Sequence, residues 1–443
     1  MKKRPISWMA GIAVGIALLV FAGGSFAAQQ GKLRILFTQP YAPMIERMEY
    51  LIDEYEKLNP AVEIVMDKVP WGGSLAKITA MKAAGSAPDI IYVIPGQVWT
   101  LQREGWLMPV DDVIEKLGGD DYFLPLPGYV KVDNHYWAVP SGSMVIHLEY
   151  RKDLFERKGL KEPRTWDDLL AAAKALTEDL DGDGKIDRYG ISLPLKREYC
   201  VGVFFMSFLW SNGGHVLDKN GRVVFNSPET VQTLKFFKEL YKYAPPGVTD
   251  YSWLQLVETY SQDKVAMTMY SGMAPFAKAI RINPTVANGT AIAAVPTRLS
   301  SQKPKARWVN VEWAVLKDCR NPELAKDFLL FFHEPKRMTQ WYLTTDQTYQ
   351  VPGEKPVIAD KDYWAGEQIV KYKPLIEKYI DLSKTAIDPV MEHPGILQPN
   401  TTIINQRLLI TDCVQEVVLG KLSAEKAAAK AAKRMKRLVA KKK

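Results

Sequence analysis

The 443-residue chain is 47% hydrophobic and 24% charged, with 28 Pro and 29 Gly, which is enough for two domains that each bury a core. These values exclude a disordered chain, a disulfide-stapled miniprotein and a many-span membrane protein. The formal charge of +8 would suggest a polyanionic partner, but residues 1–27 hold +3 and residues 424–443 hold +8, leaving the body at −3.

The opening segment has the layout of a secretory signal. Lys2, Lys3 and Arg4 form a positive start, an apolar run extends from Ile6 to Ala22, and Ser25-Phe26-Ala27 places small side chains at −3 and −1 before Ala28. The run is about as long as a minimal membrane span, so an uncleaved anchor is the competing reading. Cleavage after residue 27, with no Cys there to carry a lipid, predicts a soluble periplasmic protein and not a lipoprotein.

The chain then alternates strands and helices. Leu33–Phe37 is a short apolar strand, and Met44, Ile45, Met48, Leu51, Ile52, Tyr55 and Leu58 fall at helical spacing until Asn59-Pro60. Val62–Val69 alternates as a strand does, Ser74 is placed to cap a helix carrying Leu75, Ile78 and Met81, and Asp89–Val93 is a further apolar strand. This order predicts a parallel sheet covered by helices, with ligands held beyond the carboxyl ends of its strands. Thr165 and Asp168 form a short-armed capping box before a helix. Helices are also expected at Pro228–Tyr243, Asn321–Phe332 and Ser423–Leu438.

Signatures of catalysis are absent. The chain has no G-x-S-x-G, no H-E-x-x-H and no phosphate loop, and its five histidines stand singly. Asp111-Asp112 and Asp167-Asp168 suit helix starts, where acids complement the dipole. Cys200, Cys319 and Cys413 lack metal-type spacing and read as small buried apolar residues, with one disulfide as the alternative.

The sharpest local motif is Asp179, Asp181, Asp183, Lys185 and Asp187 around Gly184, which follows positions 1, 3, 5, 7 and 9 of a calcium loop. Gly190 stands where that loop needs its bidentate Glu. A structural calcium and a self-bonded Asp/Gly turn are both open here. Aromatic residues are the second signal. Tyr41, Trp71, Trp99, Trp210, Tyr251, Trp253, Trp308 and Trp313 lie beside turn or polar residues and suit stacking on sugar rings, against the plainer reading of each as core. The basic end is read as a capped helix whose positive charge suits its C-terminus, with a cationic tail as the alternative.

The ordered succession of Ala87-Pro88-Asp89-Ile90-Ile91, Gly105-Trp106-Leu107-Met108-Pro109-Val110, Tyr150 to Phe155, Thr165-Trp166, Tyr189-Gly190, Asn212-Gly213-Gly214, Lys264 to Met267 and Asn321 to Phe328 resembles the maltose-type (family 1) extracellular solute-binding proteins of ABC importers. The resemblance spans essentially the whole chain after residue 27. It implies a two-lobe α/β periplasmic-binding-protein fold (type II), with residues 28–141 and 312–349 in one lobe and 142–311 and 350–443 in the other. It also implies a cleft that closes on a carbohydrate, delivery to permease subunits, a monomer and no required cofactor, while the acidic body and the expected export argue for no nucleic-acid partner.

By the same resemblance the cleft-facing positions are Gln39, Tyr41, Gln97, Ser141, Ser143, Tyr199, Ser271, Met273, Asn310, Glu312, Asn400, Asn405 and Arg407, with Trp253 or Trp308 replacing a stacking Trp near Ser271. The amides and guanidinium of the C-terminal segment depart from ordinary maltose specificity. Two alternatives stay open: an exported carbohydrate-active enzyme with a distant Asp/Glu pair, and a receptor for a charged non-sugar such as an organophosphate.

Overall fold

In chain order the strands are β1 (Gln30–Thr38), β2 (Ala61–Val69), β3 (Ile90–Val93), β4 (Lys131–Val132), β5 (His135–Tyr136), β6 (Val139–Ser141), β7 (Ile146–Arg151), β8 (Met267–Ser271), β9 (Thr290–Ala293) and β10 (Val311–Val315). The computed structural model describes residues 30–440 except 40, 71–72, 125–129, 310, 346–347, 385, 388–391, 394–395 and 397. The expected signal, Trp71 and Asn310 therefore lie outside the described residues.

The first lobe is built on the sheet β2-β1-β3-β10-β6. Its first three strands are parallel, as the strand–helix alternation predicts, and all four residues of β3 are buried. A parallel strand covered on both faces needs that unbroken apolar run. β10 runs antiparallel to β3 and to β6. Both β6 and β10 adjoin the junction with the second lobe, so their direction is set by the crossings.

The helix Ala42–Leu58 buries Met44, Met48, Leu51, Ile52 and Tyr55 along one stripe, and the Asn59 N–H closes it on the carbonyls of Tyr55 and Glu56. Gly73, not Ser74, is the N-cap of the next helix, and the buried Ser74 hydroxyl instead accepts a hydrogen bond from Gln97 Nε2 at 2.5 Å. The Thr165–Asp168 capping box forms as expected. Ser423 accepts the Lys426 N–H, and the terminal helix Ala424–Ala440 buries Ala427, Ala428, Ala431, Ala432 and Met435.

The second lobe has the antiparallel sheet β8-β7-β9, with β7 buried along its whole length. Cys200, Cys319 and Cys413 are buried and free, and burial pushes each thiol up to about 12. They serve as apolar packing.

The chain passes from the first sheet to the second between Ser141 and Ile146, and back between Ala293 and Val311. These crossings are tied side by side: Ile146 N–H donates to Arg307 O at 3.0 Å and Val309 N–H to Met144 O at 2.9 Å. Ser143 N–H donates to Val351 O at 2.9 Å, adding a third segment to the junction.

The expected return to the second lobe at residue 350 comes later. The Lys355 N–H bonds Tyr122 O, and helices Lys355–Ile358 and Lys361–Trp364 pack on the helix Pro335–Thr345, which packs on Ala42–Leu58 of the first lobe. Only with Lys373–Ser383, packed on β9, is the chain back on the second lobe. The apolar contacts of Val357 and Tyr363, both buried, keep this excursion on the first side.

Candidate functional site

Among the described residues, the expected cleft-facing positions lie at the junction and on the facing edges of the two lobes, except Arg407. On the first lobe, Gln39 follows β1 and is buried; its Oε1 accepts the Tyr41 N–H at 3.0 Å. The Tyr41 ring stacks on Tyr349 at 5.1 Å, and its hydroxyl accepts a hydrogen bond from Arg281 Nη1 of the second lobe at 2.9 Å. Gln97 follows β3 and turns inward, bonded to Ser74 and to the Ile94 N–H.

At the junction, Ser141 ends β6, and Ser143 Oγ accepts the Trp308 Nε1–H at 3.2 Å. Trp308 is thereby fixed as a strut between two crossings. Glu312 is fully buried on β10, opposite Val93 and Pro140. Tyr92 lies opposite Trp313 on β3, and burial holds its phenol well above the ordinary range, so it stays a neutral donor.

On the second lobe, Trp253 starts a helix and is half-buried against Tyr270 at 5.3 Å and Phe204 at 5.1 Å. Ser271 ends β8, and Met273 is fully buried with its N–H on Tyr349 O. Tyr199 opens the helix Tyr199–Ser211, and Arg307 Nη2 donates to its hydroxyl at 2.5 Å. Asn405 Nδ2 donates to Tyr199 O at 3.4 Å. A Cβ on Gly202 would meet Asn405 Oδ1 at 1.7 Å, so glycine is what lets the helix Pro399–Gln406 bring Asn405 against the Tyr199 helix.

That helix also faces the first lobe. Thr100 Oγ1 lies 3.5 Å from Gln406 Oε1, and a cavity of about 220 Å³ nearby is lined by Trp99, Thr100, Arg103, Glu104 and Ile403. Asn400 is half-buried in its first turn. Arg407 is the exception. It is exposed and lines a different groove with Leu409, Arg434, Arg437 and Leu438, because the helix ends at Gln406 and turns it outward.

The aromatic set divides. Trp210 and Trp313 are core: Trp210 donates to the buried Glu392, and Trp313 packs against Phe37, Tyr92 and Phe332. Tyr41, Trp253 and Trp308 stand at the junction or the facing edges. Sequence reasoning missed Tyr92, Arg281, Arg307 and Tyr349. Tyr92 and Arg307 sit within strands or crossings whose neighbours are apolar, and a polar residue amid apolar ones was the signal available.

Asp179, Asp181 and Asp187 bring carboxylate oxygens within 4.8 Å of one another. Asp183 and Lys185 stand outside that group, paired with each other at 3.2 Å. The loop also bonds itself: Asp179 accepts the N–H groups of Gly182 and Gly184, and Asp187 accepts that of Leu180. Position 12 must be glycine, since a Cβ on Gly190 would meet Ala173 O at 1.9 Å.

The model of the bacterial extracellular solute-binding protein family matches residues 41–348. The chain belongs to that family. A protein of Brucella abortus described as a binding protein is 27% identical over 61% of this chain, and the match spans 63% of that relative. The fold is that of the maltose-bound MalE3 of Thermotoga maritima, with a TM-score of 0.78 at 21% identity over 92% of this chain and 99% of that one. An ABC transporter solute-binding protein of Agrobacterium vitis with bound D-mannitol gives 0.76 at 23% identity over 93% and 98%. No helix among the described residues is long and apolar enough to cross a membrane.

Proposed function

We propose that this solute-binding protein captures a carbohydrate or polyol between its lobes, outside the cytoplasm, and hands it to the permease of an ABC importer. The observation that carries the reading is the junction itself. Three chain segments hydrogen-bonded side by side form a hinge, and polar and aromatic side chains from both lobes converge on it. Tyr41, Trp253 and Tyr349 offer ring faces to C–H surfaces, while Gln39, Ser271, Glu312 and Asn405 offer the donors and acceptors that hydroxyls need.

Such a receptor performs no bond chemistry. The ligand touches both lobes only when they close, so it stabilises the closed state over the open one by that difference in contacts. The bound maltose of the Thermotoga protein and the bound mannitol of the Agrobacterium protein favour a polyhydroxy ligand. A thermal-shift screen of mono- and oligosaccharides, polyols and sugar acids tests the reading, followed by small-angle scattering with the best hit. A raised melting temperature with a smaller radius of gyration is expected. Hydrolysis of the hit, or binding with no compaction, counts against a hinge receptor.

For the Asp179–Asp187 loop we propose weak calcium binding in a structural role, supported by three converging carboxylates and weakened by the glycine at position 12.

A further inference from the structure

Arg307 lies on the second crossing between the lobes and is 1% exposed, one of the largest fully buried side chains in the protein. Its Nη2 donates to Tyr199 Oη at 2.5 Å, and its guanidinium lies over the Tyr199 ring at 5.3 Å. Its Nε and Nη1, which carry most of the N–H donors of the group, have no hydrogen-bond partner. No carboxylate among the described residues pairs with it.

Every other fully or nearly buried arginine on the second lobe is neutralised: Arg151 by Asp153 and Asp263, Arg188 by Glu178 and Asp263. The contrast matters because a buried guanidinium that no described carboxylate pairs with is costly, and it cannot shed its proton. On the helix Pro399–Gln406, Asn405 Oδ1 is also fully buried without a hydrogen-bond partner. Both side chains bond Tyr199, Arg307 at its hydroxyl and Asn405 at its backbone carbonyl. Tyr199, half-buried at the start of its helix, holds the guanidinium through its hydroxyl and its ring face.

We propose that Arg307 is the specificity residue for an acidic group on the ligand, so that the solute is a sugar or polyol bearing a carboxylate or phosphate. The proposal rests on the reading of this protein as a polyhydroxy-solute receptor and narrows it. The acid would pair with Nε or Nη1 of Arg307. Charge-assisted hydrogen bonds of this kind are about twice as strong as neutral ones.

The test is calorimetry with the full mature chain and matched probes: each of glucose, galactose and mannitol against its carboxylate and its phosphate ester. An acidic member binding at least tenfold more tightly than its neutral parent is expected, with affinity falling as salt rises. Whether the carboxylate or the phosphate leads identifies the acid. Arg307→Gln is expected to abolish the preference for the acidic member over its neutral parent, and Arg307→Lys to keep part of it.

A neutral parent binding as well as its acids overturns the anion proposal and leaves the receptor reading standing. Failure of both neutral and acidic probes overturns both. If Arg307→Gln does not fold, the wild-type preference and its salt dependence still decide.

Discussion

Glu354, with no exposed surface, accepts the backbone N–H of Gly142 on the first crossing at 3.4 Å, while its other oxygen accepts the Tyr342 hydroxyl at 2.7 Å and the Gly353 N–H at 3.0 Å. One carboxyl group therefore ties the Ser141–Ile146 crossing to the segment that follows the helix Pro335–Thr345. Burial pushes that carboxyl up to about 7, and the hydrogen bonds only partly offset it.

A raised folded-state value means that the folded protein holds this proton more tightly than the unfolded chain does. The stability it contributes is fully present below the unfolded value of about 4.5 and is lost as pH rises through about 7. The span corresponds to about 3 kcal/mol. Urea midpoints at pH 5, 6, 7 and 8 should therefore fall more steeply in the wild type than in Glu354→Gln, which carries no charge. Parallel slopes would show that Glu354 does not titrate in this window.

Tyr379 makes a second tie. Its hydroxyl accepts the Val145 N–H at 2.8 Å and the Gly272 N–H at 3.0 Å, joining the first crossing to the loop after β8. Tyr379→Phe leaves two buried backbone donors without an acceptor, each costing about 1–3 kcal/mol. Urea denaturation should show a loss of about 3 kcal/mol with unchanged circular dichroism, and a loss below about 0.5 kcal/mol would mean the two donors find other acceptors.

Much of the first lobe was legible because its strands are short apolar runs and its helix Ala42–Leu58 keeps a regular stripe. The antiparallel β10 and β6 were not, since their direction depends on crossings that no local pattern encodes. The boundary near residue 350 failed for a related reason: Val357 and Tyr363 look like any apolar residues, and only packing shows which lobe they face. Near the junction, the places of Gln39 and Gln97 after strands and of Ser143 on a crossing could be read from the sequence. Arg407 misled, because one residue past a helix end turns a side chain to solvent, while Arg307 carries its signal in burial, which the sequence does not print.

Asp179, Asp181 and Asp187 converge, but Gly190 cannot supply the bidentate carboxylate and Lys185 neutralises Asp183. Calcium should raise the melting temperature of EDTA-treated protein only at about millimolar concentration, the weak end of such loops. Asp179→Asn should abolish the shift. No shift at about 10 mM would leave the self-bonded turn as the sole role of this segment.

The contact between Tyr41 and Arg281 joins the lobes outside the hinge at 2.9 Å. Tyr41 belongs to the loop after β1 and Arg281 to the helix Ala274–Ile282, so the bond exists only when the lobes lie together. It touches both states unequally and so biases closure. Removing a solvent-accessible hydrogen bond of this kind costs about 0.5–1 kcal/mol. Tyr41→Phe keeps the ring that stacks on Tyr349 and deletes only the hydroxyl, so ligand affinity should fall roughly two- to fivefold with the same melting temperature in the absence of ligand. Tyr41→Ala also removes the ring face and should cost more than tenfold. If both variants bind alike, the ring adds nothing to the ligand and Tyr41 acts through the hydroxyl alone; if neither weakens binding, the contact does not belong to the closed, loaded state.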